Sequence, residues 1–265
     1  MSSATKSNDA VTQTEAPMPA KIPWSPVVAV VFVVVIYFVS QLVGGLLLSI
    51  YPMVRHWSDG QANTWINNSV LAQFGYVVIA EGLMLLPLWW FLKRYKFGFG
   101  KLGLTRIKAD DMLYALGGFM MYFFSYAILL SIATKAIPSL NVNQPQQIGF
   151  QTASGFGPLA LTAISLVILP PIVEEILVRG FLYTSLKKSL PKIVAALITS
   201  IIFASAHLEF GSGAPLLWVA AIDTFTLSLV LCYLREKTGR LWASMGVHGL
   251  KNAIAFASLF IFHVR

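Results

Sequence analysis

The sequence predicts an all-α fold: a polytopic bundle of about seven transmembrane helices with its N-terminus in the cytoplasm. Three observations lead there. Hydrophobic residues make up 57% of the chain and charged residues 11%, against about 25% charged in soluble domains, and the mean hydropathy is +0.72. The apolar residues fall in long runs that are apolar all round rather than along one stripe. The lysines and arginines, which give a net charge of +8, collect in alternate loops between those runs, as cytoplasmic loops do. The basic balance is therefore a topology signal; a lipid bilayer is the expected partner and nucleic acid is not.

Taken in order, residues 1–25 are rich in Ser, Thr, Ala and Pro with mixed charges. They cannot bury enough apolar surface to fold and are expected to form a disordered cytoplasmic tail. The apolar runs follow at 26–51, 70–92, 112–136, 159–186, 193–207, 215–234 and 241–262. The segment 93–111 carries Lys93, Arg94, Lys96, Lys101, Arg106 and Lys108. Lys187, Lys188 and Lys192 follow the fourth run, and Arg235, Lys237 and Arg240 the sixth. Seven spans with the N-terminus inside place all three groups in the cytoplasm. Residues 26–111 then form N-terminal membrane helices and a basic loop, and residues 112–265 a core that carries the motifs below. The polar connection 137–158 reads as a flexible connector or, alternatively, as a lid. Cys232, the only cysteine, lies in an apolar run and excludes an intrachain disulfide.

Charged residues inside a membrane helix cost about 2.5–3.5 kcal/mol each at its centre, so they need a reason to be there. Glu174, Glu175 and Arg179 sit near the middle of the fourth run. On a helix Glu175 and Arg179 are four apart, in the favourable order for an ion pair. Glu174 is turned about 100° away and is not consumed by that pair. Two further patterns lie on later runs: Phe203-Ala-Ser-Ala-His207 and His248-Gly-Leu-Lys-Asn252. E-E-x-x-x-R, F-x-x-x-H and H-x-x-x-N, in that order and on separate apolar runs, resemble the motifs of the CPBP intramembrane proteases, also called the abortive-infection (Abi) or CAAX-protease family, with Rce1-like endopeptidases among its members. The resemblance covers about residues 113–262. It implies a membrane-embedded peptidase in which Glu174 and His207 hold the attacking water, His248 and Asn252 form the oxyanion hole, and Glu175 with Arg179 braces the fourth helix.

The residues support that division independently. Helix rise places Glu174 about 20 Å from Lys187, His207 about 22 Å from Lys192, Asn252 about 18 Å and His248 about 12 Å from Arg240, one layer across three helices. Peptide hydrolysis needs a base for water, an acid for the leaving amine and donors for the oxyanion. Glu174, with no cation on its own face, suits the base, and His207 can orient the same water. His248 and Asn252, four apart, can both donate to an oxyanion. Phe203, one turn before His207, packs or shapes the pocket. Asp223 is a candidate partner for Lys251; Glu81 has no motif.

No cofactor is expected. The competing account is zinc held by Glu174, His207 and His248, a His₂Glu set. The expected substrate is a membrane-bound peptide or protein, of prenylated CAAX type by resemblance or bacteriocin-related. The expected location is a membrane crossed several times, the plasma membrane in a bacterium. The rival functions are a non-catalytic immunity or scaffold protein of the same superfamily and a transporter, although the acidic pair has no counterpart in the first half of the chain.

Overall fold

Ser25 opens the first helix, α1 (Pro26–Val54), by accepting a hydrogen bond from the Val28 amide, and Pro26 occupies a first-turn position where its missing N–H costs nothing. The structure, a computed structural model, describes residues 22–144, 148–208 and 215–263. The expected polar tail, up to residue 21, lies outside the described residues.

A short helix, α2 (Asp59–Asn68), follows; the apolar pattern does not reveal it, but Ser58 and Gln61 cap it reciprocally. Then come α3 (Val70–Arg94), α4 (Ala109–Ala136), α5 (Phe156–Leu186), α6 (Lys192–Ser205), α7 (Trp218–Thr238) and α8 (Trp242–Phe256). Among the described residues the regular structure is all helical. Of these helices α1, α3, α4, α5 and α7 are long and apolar enough to cross a membrane. The seventh expected span is met by α8 and its continuation, whereas the fifth stops short of its predicted end. α6 has 14 residues and ends at Ser205, which leaves His207 in the turn beyond it. α8 has 15 residues and is prolonged by a π-helical turn, Ala257–Ile261.

The hub is α5, which touches α1, α3, α6, α7 and α8. Outward-facing Val31, Phe38, Leu42 and Leu46 of α1 and Met112, Leu116 and Phe123 of α4 are exposed, as lipid-facing side chains of a bundle are. On one side of α5, Trp24, Phe91, Phe97 and Phe181 pack edge to face, and the Trp24 indole donates to the Ser185 hydroxyl at 2.7 Å. On the other, Tyr122, Leu227, Leu231 and Val247 join α4, α7 and α8.

The three basic loops meet at one end of the bundle. Arg240 pairs with Asp110 and Asp111 at 2.7 and 2.9 Å, Trp242 donates to the Thr105 carbonyl at 2.6 Å, and Lys187 and Lys192 both pair with Glu236. At the opposite end the described part of 137–158 is fastened down rather than free. Phe150 is buried and its amide donates to Gln73, while the Thr152 hydroxyl donates to the Asn68 carbonyl at 2.6 Å.

Candidate active site

The site is built on an irregular stretch of α5, and two adjacent prolines make it irregular. Pro170 has no N–H to give to the carbonyl four residues back, Leu166, and Pro171 has none to give at the π-helical spacing of five. The helix accommodates this with a π-helical turn, Ile164–Ile168, before the prolines. A short α-helical piece, Leu169–Glu174, leads into a second π-helical segment, Glu175–Tyr183. Glu174 and Glu175 thus sit where the winding changes.

The Leu166 carbonyl, left without a backbone donor at either spacing, accepts a hydrogen bond from Asn252 Nδ2 of α8 at 2.9 Å. The helices approach closely here: a Cβ on Gly249 would lie 3.5 Å from the Val167 carbonyl oxygen. One Asn252 N–H is therefore committed to holding α8 against α5. Asn252→Ala is expected to destabilise the protein by about 0.5–1.5 kcal/mol, the net worth of a typical intramolecular hydrogen bond, here partly buried, read as a lowered thermal midpoint in detergent. An unchanged midpoint would mean that the carbonyl has another donor.

Glu175 and Arg179 are both fully buried and form an ion pair, Nη1 to Oε1, at 2.8 Å. The guanidinium also lies over the Phe203 ring, 4.5 Å from its centroid. His248 of α8 stands between the two carboxylates. Its Nδ1 is 3.2 Å from Glu175 Oε1 and its Nε2 is 3.8 Å from Glu174 Oε2. Glu175 Oε1, which accepts from Arg179, is the acceptor that Nδ1 meets, so Nδ1 is the donor and Nε2 is left facing Glu174. Glu175 and Arg179 therefore do more than brace α5: they fix the orientation of a histidine on another helix, a contact that motif spacing alone does not reveal.

His207 is held differently. Its Nδ1 is 2.9 Å from the Phe203 carbonyl, an acceptor only, so Nδ1 carries the proton and Nε2 is the available acceptor. Phe203 separates the two histidines, its ring 4.9 Å from His207 and 6.0 Å from His248. Glu174 and His207 share a cavity of about 280 Å³, lined also by Tyr37 and Phe38 of α1, Met84 of α3 and Val178 of α5. Exposed Phe38 and Ile201 stand at its lining, so it opens sideways between α1 and α6. Glu174 is the less buried of the two acids, its side chain 22% exposed against 0% for Glu175, and its Oε2 has no hydrogen-bond partner among the described residues.

The structure thus joins Glu174, Glu175, Arg179 and His248 directly, places His207 across the cavity from Glu174, and engages Asn252 with α5. Among the described residues, no three His, Cys, Asp or Glu side chains converge as a metal-holding group; Glu174 and His248 are neighbours, and Glu174 and His207 line one cavity. The expected partnership of Asp223 with Lys251 is present as an ion pair at 3.0 Å. Glu81, buried on α3, leaves its Oε2 without a hydrogen-bond partner among the described residues. No sequence motif points to it; a lone carboxylate in an apolar run is the one signal it gives.

Residues 156–254 match the family model described as type II CAAX prenyl endopeptidase, Rce1-like. That span contains Glu174, His207, His248 and Asn252. No curated protein and no solved structure matches the chain.

Proposed function

Because residues 156–254 are an Rce1-like domain, we propose that this multi-pass membrane protein is an intramembrane endopeptidase that hydrolyses peptide bonds of membrane-associated substrates with a Glu174-activated water. The observation that carries the reading is the division between the two acids. Glu175 is spent on Arg179 and His248, while Glu174 lines the cavity with no lysine or arginine partner and with its Oε2 3.8 Å from His248 Nε2, outside hydrogen-bond distance.

In this mechanism Glu174 takes a proton from water as the hydroxide adds to the substrate carbonyl, and His207 Nε2 orients the same water. His248 Nε2, when protonated, and the remaining N–H of Asn252 donate to the developing oxyanion. Glu174 then delivers its proton to the leaving nitrogen as the C–N bond breaks, giving a carboxyl product and an amine and restoring the carboxylate. The basic end of the bundle faces the cytoplasm, residues 112–265 form the protease core, and the sideways opening between α1 and α6 admits a substrate that is itself lipid-bound, of prenylated CAAX type or bacteriocin-related. Cleavage of a quenched lipidated peptide by the purified protein tests the reading. Equal rates from wild type and Glu174→Ala would sink it.

No metal takes part in these steps. Activity is expected to survive exhaustive chelation, with well under one zinc per chain in the purified protein. Stoichiometric zinc, lost together with activity and restored with it, would instead make Glu174, His207 and His248 the ligands.

A further inference from the structure

Hydrolysis consumes one water per turnover, yet the Glu174 cavity opens sideways, toward the hydrocarbon of a bilayer, where water is scarce. A second cavity, of about 460 Å³, lies at the end of the bundle opposite the basic loops. Exposed Ser49 of α1 and Asn67 of α2 stand at its lining, with Gln73 and Tyr76 of α3. Its inner wall includes Leu166 of α5, the residue whose carbonyl accepts from Asn252. The second cavity therefore runs from the polar end of the bundle to the back of the catalytic layer.

The two cavities follow one another in the same order along three helices that pack together, α1, α3 and α5. On α1 the lining passes from Phe38 to Gly45, and on α3 from Met84 to Val77. Each interval is about 10 Å of helix rise. On α5 it passes from Glu174 to Leu166. The layer between is polar, although an apolar seam would be cheaper in a membrane. Gln41 of α1 accepts there from the Tyr76 hydroxyl of α3. Glu81 lies four residues after Val77 and three before Met84, on the face of α3 that lines both cavities. It is only 8% exposed, and its Oε2 has no hydrogen-bond partner among the described residues. A buried carboxyl oxygen thus stands open midway between a polar cavity and the catalytic one.

We propose that the second cavity and the layer of Gln41, Tyr76 and Glu81 are the path by which water reaches Glu174, with Glu81 the positioning residue that hands it on. The inference rests on the endopeptidase reading and adds the route of its second reactant. Substrate enters from lipid between α1 and α6, and water from the polar end of the bundle, so the lateral opening need not admit both. At a hydrogen-bond spacing of about 2.8 Å, a few waters in file span the layer. The Tyr76 hydroxyl, the Gln41 amide and the Glu81 carboxyl give them partners on the way, which a water inside a protein requires.

The test uses full-length protein in phospholipid vesicles and a quenched lipidated peptide. In Val77→Cys, benzyl methanethiosulfonate places an apolar plug between the second cavity and Glu81. The plug is expected to lower kcat about tenfold or more, with KM little changed, and reduction of the disulfide should restore it. Two controls should not respond: wild type, whose Cys232 is fully buried, and Val78→Cys, where the native valine is 43% exposed on the outer side of α3. Glu81→Leu should slow turnover while raising the thermal midpoint, because it removes a buried polar group that lacks a full set of partners. Glu81→Gln, which keeps the hydrogen-bonding atoms, should recover most of the rate. A purely structural carboxyl group would lower rate and midpoint together. If Glu81→Leu folds poorly, the plug alone decides. An undiminished rate in plugged Val77→Cys, or an equal loss in Val78→Cys, overturns the route, and an unchanged rate in Glu81→Leu removes Glu81 from it. Failure of wild type to cleave this or any other lipidated peptide removes the endopeptidase reading and this inference with it.

Discussion

Glu174→Gln is expected to lower turnover by about 10²–10⁴-fold, the usual contribution of a positioned general base, with the fold retained. The substitution is nearly isosteric and removes the only proton acceptor assigned to the attacking water. It strands no opposite charge, because Glu174 lies 3.8 Å from His248 and has no ion pair with lysine or arginine among the described residues. Glu175→Gln should behave in the opposite sense. Glu175 Oε1 is shared by Arg179 at 2.8 Å and His248 at 3.2 Å, so its loss leaves a buried guanidinium without its counter-charge and a histidine without its anchor. Single-turnover rates and thermal midpoints, measured on both purified variants, separate the two. A well-folded, inactive Glu175→Gln beside an active Glu174→Gln would make Glu175 the base.

Arg179→Ala is expected to cost about 3–5 kcal/mol, the range for removing one partner of a buried ion pair. Three contacts go at once: the pair with Glu175, the guanidinium face over Phe203 and, indirectly, the carboxylate geometry that holds His248. The yield of folded protein and the thermal midpoint should both fall, and activity should be lost with them. Arg179→Met combined with Glu175→Gln, which leaves no charge unpaired, should recover much of the stability but not the rate. A stable and fully active Arg179→Ala protein would contradict the role given to the pair.

The long helices were legible because lipid imposes a simple rule on them. The expected run 70–92 is α3 (Val70–Arg94), and 112–136 lies within α4 (Ala109–Ala136). The Glu175–Arg179 pair was legible as well, since four-residue spacing on one helix is a local matter. Contacts between helices were not. Nothing in the spacing of His248 told that its two ring nitrogens would face the two neighbouring carboxylates. The hydrogen bond from Asn252 to Leu166 follows from Pro170 and Pro171, but only once α8 is known to lie alongside. α2 escaped because its residues are polar, although Ser58-Asp59-Gly60-Gln61 carries a capping signature. His207 lies within an apolar run but just past the end of α6, because the run outlasts the helix.

The looser winding over Glu175–Tyr183 makes the length of that segment part of the active site. A π-helical stretch accommodates residues that a tighter coil would push around the axis. Removing any one of them, even a plain leucine or valine, would let the coil tighten and swing everything on one side by about 100° relative to the other. Glu174 would then leave the cavity, or Trp24 would lose Ser185 and Phe181 beneath it, with every motif letter still in place. For this protein a one-residue gap in an alignment is a heavier change than most substitutions, and two chains that spell the same motif are equivalent here only if they count the same number of residues through it.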